Sequence, residues 1–276
     1  MLYTPTPAEL RGIQLTELDI LIEIDRICRK HNIGYSLNGG TMLGAVRHKG
    51  FIPWDDDIDV FFLRPEYEKF RKVLKNELGN EFYFQDMQHT PGYRWGYGKL
   101  RMKNTLFVRE NQEDMPYEQG IFVDLFVGDF IPNSLAGRAV YSSVGFAFRK
   151  ALWAEIGKRT AVGFEKFVYE KLSLLPVESV KYDYCRFIKT FCAKKTDWVR
   201  EMTFPMRNKD FGFPAKWMEQ GKEYEFEGHK FFGYANTEGY LWLKFGDYMK
   251  LPPESERKVH PISKLKLPER YENLEI

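Results

Sequence analysis

Gly39-Gly40-Thr41-Met42-Leu43-Gly44-Ala45-Val46-Arg47-His48, followed by Ile52-Pro53-Trp54-Asp55-Asp56-Asp57-Ile58-Asp59-Val60, sets a glycine pair before a short helical segment and an acidic run before an extended one. Four Asp fall within five positions, flanked by apolar residues. Neighbouring carboxylates raise one another's pKa and destabilise a fold unless a cation sits among them. On an extended segment, residues two apart point to the same face, about 7 Å from each other. Asp57 and Asp59 therefore converge on one site while Ile58 and Val60 face the opposite side. Hard oxygen donors without a nearby Cys suit Mg²⁺ or Mn²⁺ better than zinc. The competing reading is a calcium-binding or simply solvated acidic loop. An EF-hand does not fit, because its turn glycine and closing glutamate are missing.

A two-metal site needs a further carboxylate, and Ile121-Phe122-Val123-Asp124-Leu125-Phe126-Val127 places one in an otherwise apolar strand. Asp124 must be either paired or part of the metal site. Asp57, Asp59 and Asp124 together form the kind of set that two-metal phosphoryl transfer uses. Gly39 and Gly40 allow backbone amides to approach phosphate oxygens closely, although a glycine pair is also an ordinary turn. Arg47 and His48, and Lys99 and Arg101 on a later strand, are the candidates to neutralise a diphosphate.

Outward from this centre, Thr6-Pro7-Ala8-Glu9 reads as a capped helix start. Leu10, Ile13, Leu18, Leu21, Ile24 and Cys28 continue it with helical period to His31-Asn32-Ile33-Gly34. Tyr35–Leu37 is a short strand, Thr41–His48 a helical turn or two, Asp57–Leu63 extended, and Pro65–Leu78 an amphipathic helix. Further strands are predicted at Glu81–Gln85, Trp95–Met102, Leu106–Arg109 and Ile121–Val127. This mixture predicts an α+β core over residues 1–133. Residues 134–200 change to a helical insertion, and residues 201–276 return as glycine- and aromatic-rich loops and strand pieces that complete the active-site region.

The chain has 276 residues and a formal net charge of +2, enough length for one sizeable core and no global case for nucleic-acid binding. That near-neutrality is an average. Ser134–Asp197 carries twelve Lys/Arg against six Asp/Glu, so the remainder is acidic. The basic segment is either a solvated helical face or a surface that meets an anionic membrane or polymer. Cys28, Cys185 and Cys192 match no zinc or disulfide pattern and read as reduced structural thiols. No secretory segment or run of about 18 apolar residues is found, which predicts a cytoplasmic protein, peripheral on the membrane at most. Aromatic residues make up 16% of the chain, an excess that asks for a use in the core, a stacking site or a lipid- or sugar-facing surface.

Gly39–Val60 resembles the signature of the LicD family, phosphocholine transferases of bacterial surface glycopolymers related to the fukutin-type phosphoribitol transferases. Val123–Phe126, Phe226-Glu227-Gly228, Tyr240–Met249, Pro252-Pro253 and Arg257 with His260 echo it more weakly, and Ser134–Val199 matches nothing. The resemblance implies a nucleotidyltransferase-like mixed sheet with flanking helices. It implies that Asp57, Asp59 and Asp124 are catalytic and hold Mg²⁺ or Mn²⁺, with Gly39 and Gly40 shaping the phosphate turn. Asp55 and Asp56 would support the metal ligands, Trp54 would pack the site, and Arg257 and His260 would close over substrate. The implied donor is CDP-choline or a related CDP-alcohol. The implied acceptor is a glycan or lipid-linked glycan, with CMP as product; separately, the basic character of residues 134–200 predicts a peripheral membrane contact through that segment. The alternatives are ribitol- or glycerol-phosphate transfer, nucleotidylyl transfer from NTP, or a non-enzymatic nucleotide- or glycan-binding role.

Overall fold

The first helix, α1 (Pro7–Lys30), begins with a reciprocal cap: the Glu9 amide donates to the Thr6 hydroxyl at 3.2 Å, and the Thr6 amide donates to the Glu9 carboxylate at 2.8 Å. Its inner face buries Ile13, Ile20, Leu21, Ile24 and Ile27. It stops where Asn32 turns left-handed, a conformation Asn tolerates. The structure, a computed structural model, describes residues 2–206, 208–257, 259–272 and 274.

Next come β1 (Ser36–Leu37), α2 (Gly39–His48), β2 (Ile58–Leu63), α3 (Arg64–Glu77), β3 (Phe82–Gln85), β4 (Gly98–Met102), β5 (Leu106–Arg109) and β6 (Phe122–Ile131). The helical insertion is α4 (Leu135–Thr160), α5 (Gly163–Leu172) and α6 (Val177–Phe191). The chain closes with β7 (Trp198–Glu201), β8 (Phe213–Pro214), β9 (Gln220–Phe226), β10 (His229–Tyr234), α7 (Thr237–Phe245) and β11 (Ile262–Lys266). The architecture is α+β.

The main sheet runs β1-β2-β6-β4-β3. Only β2 and β6 are parallel to each other among its paired neighbours. Every residue of β6 is buried, as a central strand requires. The first half of β6 pairs with β4 and the second half with β7. That second pairing carries β6 to Ile131, four residues past the predicted end, and returns the chain to the sheet at Trp198, inside the segment assigned to the insertion. On one face Phe62 packs against Tyr67 and Phe70 of α3. On the other, Phe61 lies against Tyr234 of β10.

A second apolar cluster joins the insertion to the β3–β4 connection. Trp95 and Trp153 sit 5.0 Å apart, and Phe148 of α4 packs edge-on against Tyr184 of α6. Much of the aromatic excess is spent there and in the main core. Segment 212–260 departs from the expected loops and strand pieces, because Thr237–Phe245 is a helix capped by Asn236, whose side chain accepts from the Gly239 amide. No helix among the described residues is long and apolar enough to cross a membrane.

Candidate active site

Strand register builds the site. Asp59 of β2 lies opposite Asp124 of β6, and Lys99 of β4 lies opposite Asp124 on its other side. The three side chains therefore form a row on one face of the sheet. Lys99 ion-pairs with Asp124, the partner an Asp in an apolar strand needs. Burial pushes Lys99 down to about 7, offset only in part by Asp124 and reinforced by Arg101 and Arg109. Burial likewise raises Asp124, against the pull of Lys99 and Arg109. The other β6 aspartate, Asp129, points to the opposite face, where Arg64 holds it at 2.7 and 2.9 Å.

Asp57 precedes β2 and accepts from Arg109 of β5 at 3.1 Å. Asp59 has its amide on the Thr41 hydroxyl at 2.8 Å. Burial first, then Asp57 and Asp124, lift the Asp59 carboxyl well above the usual range, and Lys244 opposes them. Lys244, on α7, donates to the Tyr240 hydroxyl at 3.0 Å. Burial works against its charge, but Tyr240, Glu201 and Asp59 outweigh that and hold it protonated. Three cations thus surround the carboxylates: Lys99, Arg109 and Lys244.

Gly39 and Gly40 sit inside the first turn of α2 and not ahead of it. A Cβ on Gly39 would lie 2.6 Å from Oδ2 of Asp59, and one on Gly40 equally close to Oδ2 of Asp55. Both glycines make room for carboxylates, and the Gly39 amide donates to the Tyr240 hydroxyl at 3.0 Å. Burial, with Asp57 and Asp56, also raises Asp55 well above its usual value.

Asp56 meets the C-terminal tail. Nδ1 of His260 lies 2.7 Å from its Oδ1, and the His260 amide donates to its Oδ2 at 3.2 Å. Among the described residues, Asp56, Asp57 and His260 bring one ligand atom each within 4.8 Å of one another, a cluster able to hold a metal ion. Asp57 belongs to this group and also lies near enough to Asp59 and Asp124 to raise both carboxyls. Glu17 of α1 lies behind it, fully buried, with neither carboxylate oxygen hydrogen-bonded. A donor set of carboxylate oxygens beside one imidazole fits a hard divalent cation, and such a cation would relieve the repulsion that lifts Asp55, Asp59 and Asp124.

Beside Lys99 opens a cavity of about 310 Å³. Lys99, Arg101, Arg109, Arg94 and Arg149 line it together with Trp95, Tyr97, Phe122, Trp153 and Phe204, and no carboxylate among the described residues does. It suits an anion with a planar group attached. Arg101 also pins the wall, donating to the Gln85 side chain at 2.6 Å and to the Gly120 carbonyl. Arg149 and Trp153 come from α4, where the sequence offered no motif.

Arg47 donates to the Tyr248 carbonyl at 2.8 Å and to His48 at 2.9 Å, and neither residue lines this cavity. Arg257 stacks over Trp54 at 4.7 Å, so Trp54 is packed by the tail. Sequence reasoning missed Arg109, Arg149, Trp153, Lys244 and Glu17. Only Glu17 carried a signal, as an acid on the apolar face of α1.

Comparison with known proteins agrees with this arrangement. Residues 32–182, just over half the chain, match the family described as LicD/FKTN/FKRP, nucleotidyltransferase domain. Over 266 residues the chain is 30% identical to the lipopolysaccharide cholinephosphotransferase LicD of Haemophilus influenzae, covering 92% of this chain and 96% of that one. The chain belongs to the LicD family. With that membership it is a phosphotransferase enzyme. An uncharacterized Rickettsia typhi protein is 36% identical over 67 residues, 24% of this chain and 21% of that one. An uncharacterized Rickettsia prowazekii protein is 30% identical over 83 residues, 30% of this chain and 29% of that one.

Proposed function

We propose that this LicD-family enzyme transfers phosphocholine from CDP-choline to a sugar hydroxyl of a surface glycopolymer, such as lipopolysaccharide, teichoic acid or capsule, or of its lipid-linked precursor. The carrying observation is the row Asp59–Asp124–Lys99 beside a cavity lined by Lys99 and four arginines. The near full-length likeness to a cholinephosphotransferase supports the choice of head group. The cations would take the diphosphate, and Trp95 with Trp153 would offer the cytosine a stacking face.

The acceptor oxygen attacks the phosphorus that bears choline, and the bond from that phosphorus to the CMP oxygen breaks. Asp124 takes the hydroxyl proton, and Lys99 beside it stabilises charge on the transferring group. Asp57 and Asp59, with Asp124, would hold Mg²⁺, which supplies Lewis-acid stabilisation of the phosphoryl oxygens. Arg109 orients Asp57 through its hydrogen bond, and Lys244 opposes the rise of the Asp59 carboxyl.

The test incubates purified protein with CDP-choline, acceptor glycan and Mg²⁺ and measures CMP. Release by the wild type, lost by about a hundredfold or more in Asp57→Ala, is expected. No release, or release undiminished in the variant, overturns the reading. A panel containing CDP-ribitol, CDP-glycerol and NTP identifies the donor if choline fails.

A further inference from the structure

Helix α5 is held rigidly on one side and bare on the other. Tyr169, 6% exposed, lies against Gly157 of α4, where a Cβ would come within 2.6 Å of the ring. Lys150 of α4 donates to the Tyr169 hydroxyl at 2.8 Å and pairs with Glu165. At 100° per residue, Glu165 falls on the Tyr169 side of the helix, while Phe164, Phe167 and Lys171 fall on the opposite side. Phe164 is 80% exposed and Phe167 52%. Val162 before the helix and Leu174 after it are 83% and 75% exposed. Folded chains seldom leave such a row of large apolar groups on a fixed helix without a use.

The charges around this row decide its partner. Lys171 lies within it, its ammonium 5.4 Å from the Phe167 ring, while Lys166 and Glu170, of opposite charge, lie between the row and the Tyr169 side. Neither lysine has an ion-pair partner among the described residues. The surrounding insertion carries twice as many basic as acidic residues. A second copy would bring like charge against like charge. A helix about 15 Å long also offers far less than the roughly 800 Å² per partner of a stable dimer. A soluble anionic polymer has no use for the phenylalanines. Bare aromatic and aliphatic groups flanked by free lysines match an anionic lipid surface, where rings enter the acyl boundary and ammonium groups meet head groups.

We propose that α5 is an interfacial anchor that docks the protein on anionic lipid through Phe164 and Phe167. This rests on the bare helix face and not on the transfer reaction, so either can fail alone. The test is flotation of the whole protein with vesicles of phosphatidylcholine, with and without phosphatidylglycerol, comparing wild type with Phe164→Ser/Phe167→Ser and Lys166→Glu/Lys171→Glu. Binding is expected only with phosphatidylglycerol present, weakened about tenfold or more in each double variant. The melting curve should be unchanged, because the replaced side chains are not needed to hold α5 on α4. No wild-type flotation with phosphatidylglycerol, or undiminished flotation of the phenylalanine variant, overturns the proposal. Dimerisation in light scattering that depends on these phenylalanines, without flotation, would also overturn it in favour of self-association.

Discussion

Gly39 carries two constraints at once, a φ of +53° and the Asp59 carboxylate where a Cβ would stand. The left-handed backbone alone costs a non-glycine residue about 1–2 kcal/mol. The second constraint acts on chemistry, because a methyl group there must push Asp59 out of the row it shares with Asp124. Gly39→Ala should therefore lose at least tenfold in CMP release while losing only about 1–3 kcal/mol of stability. Thermal unfolding beside the turnover assay checks this, and normal turnover in a destabilised variant would show that Asp59 has room to move. Lys244 illustrates the complementary case. Its amine helps neutralise Asp59 and Glu201, yet in the sequence it is only a lysine in an aromatic run.

At the scale of elements, α1 brings a cost as well as a core. Glu17 is buried without a hydrogen bond, and burial, then Asp57 and Asp56, raise its carboxyl well above the usual 4.5. The folded state therefore holds a proton that the unfolded chain gives up as pH rises past that value, so this group's contribution to stability falls with rising pH. In metal-free protein, Glu17→Gln should gain little near about pH 5 and about 1–3 kcal/mol near about pH 8, read from thermal unfolding. A gain independent of pH would mean that Glu17 titrates alike in the folded and unfolded chain and that its carboxyl is not raised. Elements fixed by local chemistry were legible in advance: the α1 cap, the acidic run entering β2, and Asp124 within an apolar strand. α7 was not, because Gly239 and its crowded aromatics dilute the helical period; in the structure it packs against β10 and residues 215–217. Arg109 was hidden for another reason: it reaches Asp57 across 52 residues through a strand whose pairing no local pattern announces.

For the whole molecule, the site is where three regions meet. The sheet supplies Asp59, Asp124 and Lys99, the insertion supplies Arg149 and Trp153, and the C-terminal region supplies Lys244 and the His260 contact to Asp56. A cation bound among Asp56, Asp57, Asp59 and Asp124 would replace repulsion with attraction where these regions join, and it can do so only in the folded state. Ligand binding restricted to the native state stabilises by RT ln(1 + [L]/Kd), about 2.7 kcal/mol at a hundredfold excess over Kd. For a chain of this size, that corresponds to an upward shift in Tm of roughly 5–10 °C. Adding Mg²⁺ to chelator-treated protein should produce such a shift, and Asp57→Ala should remove most of it, since Asp57 belongs to both candidate ligand groups. His260→Ala separates them. A shift that survives His260→Ala but not Asp59→Ala places the ion in the carboxylate row, and the reverse places it against the tail. No shift in the wild type would mean that Lys99, Arg109 and Lys244 already neutralise the carboxylates and leave a cation nothing to gain.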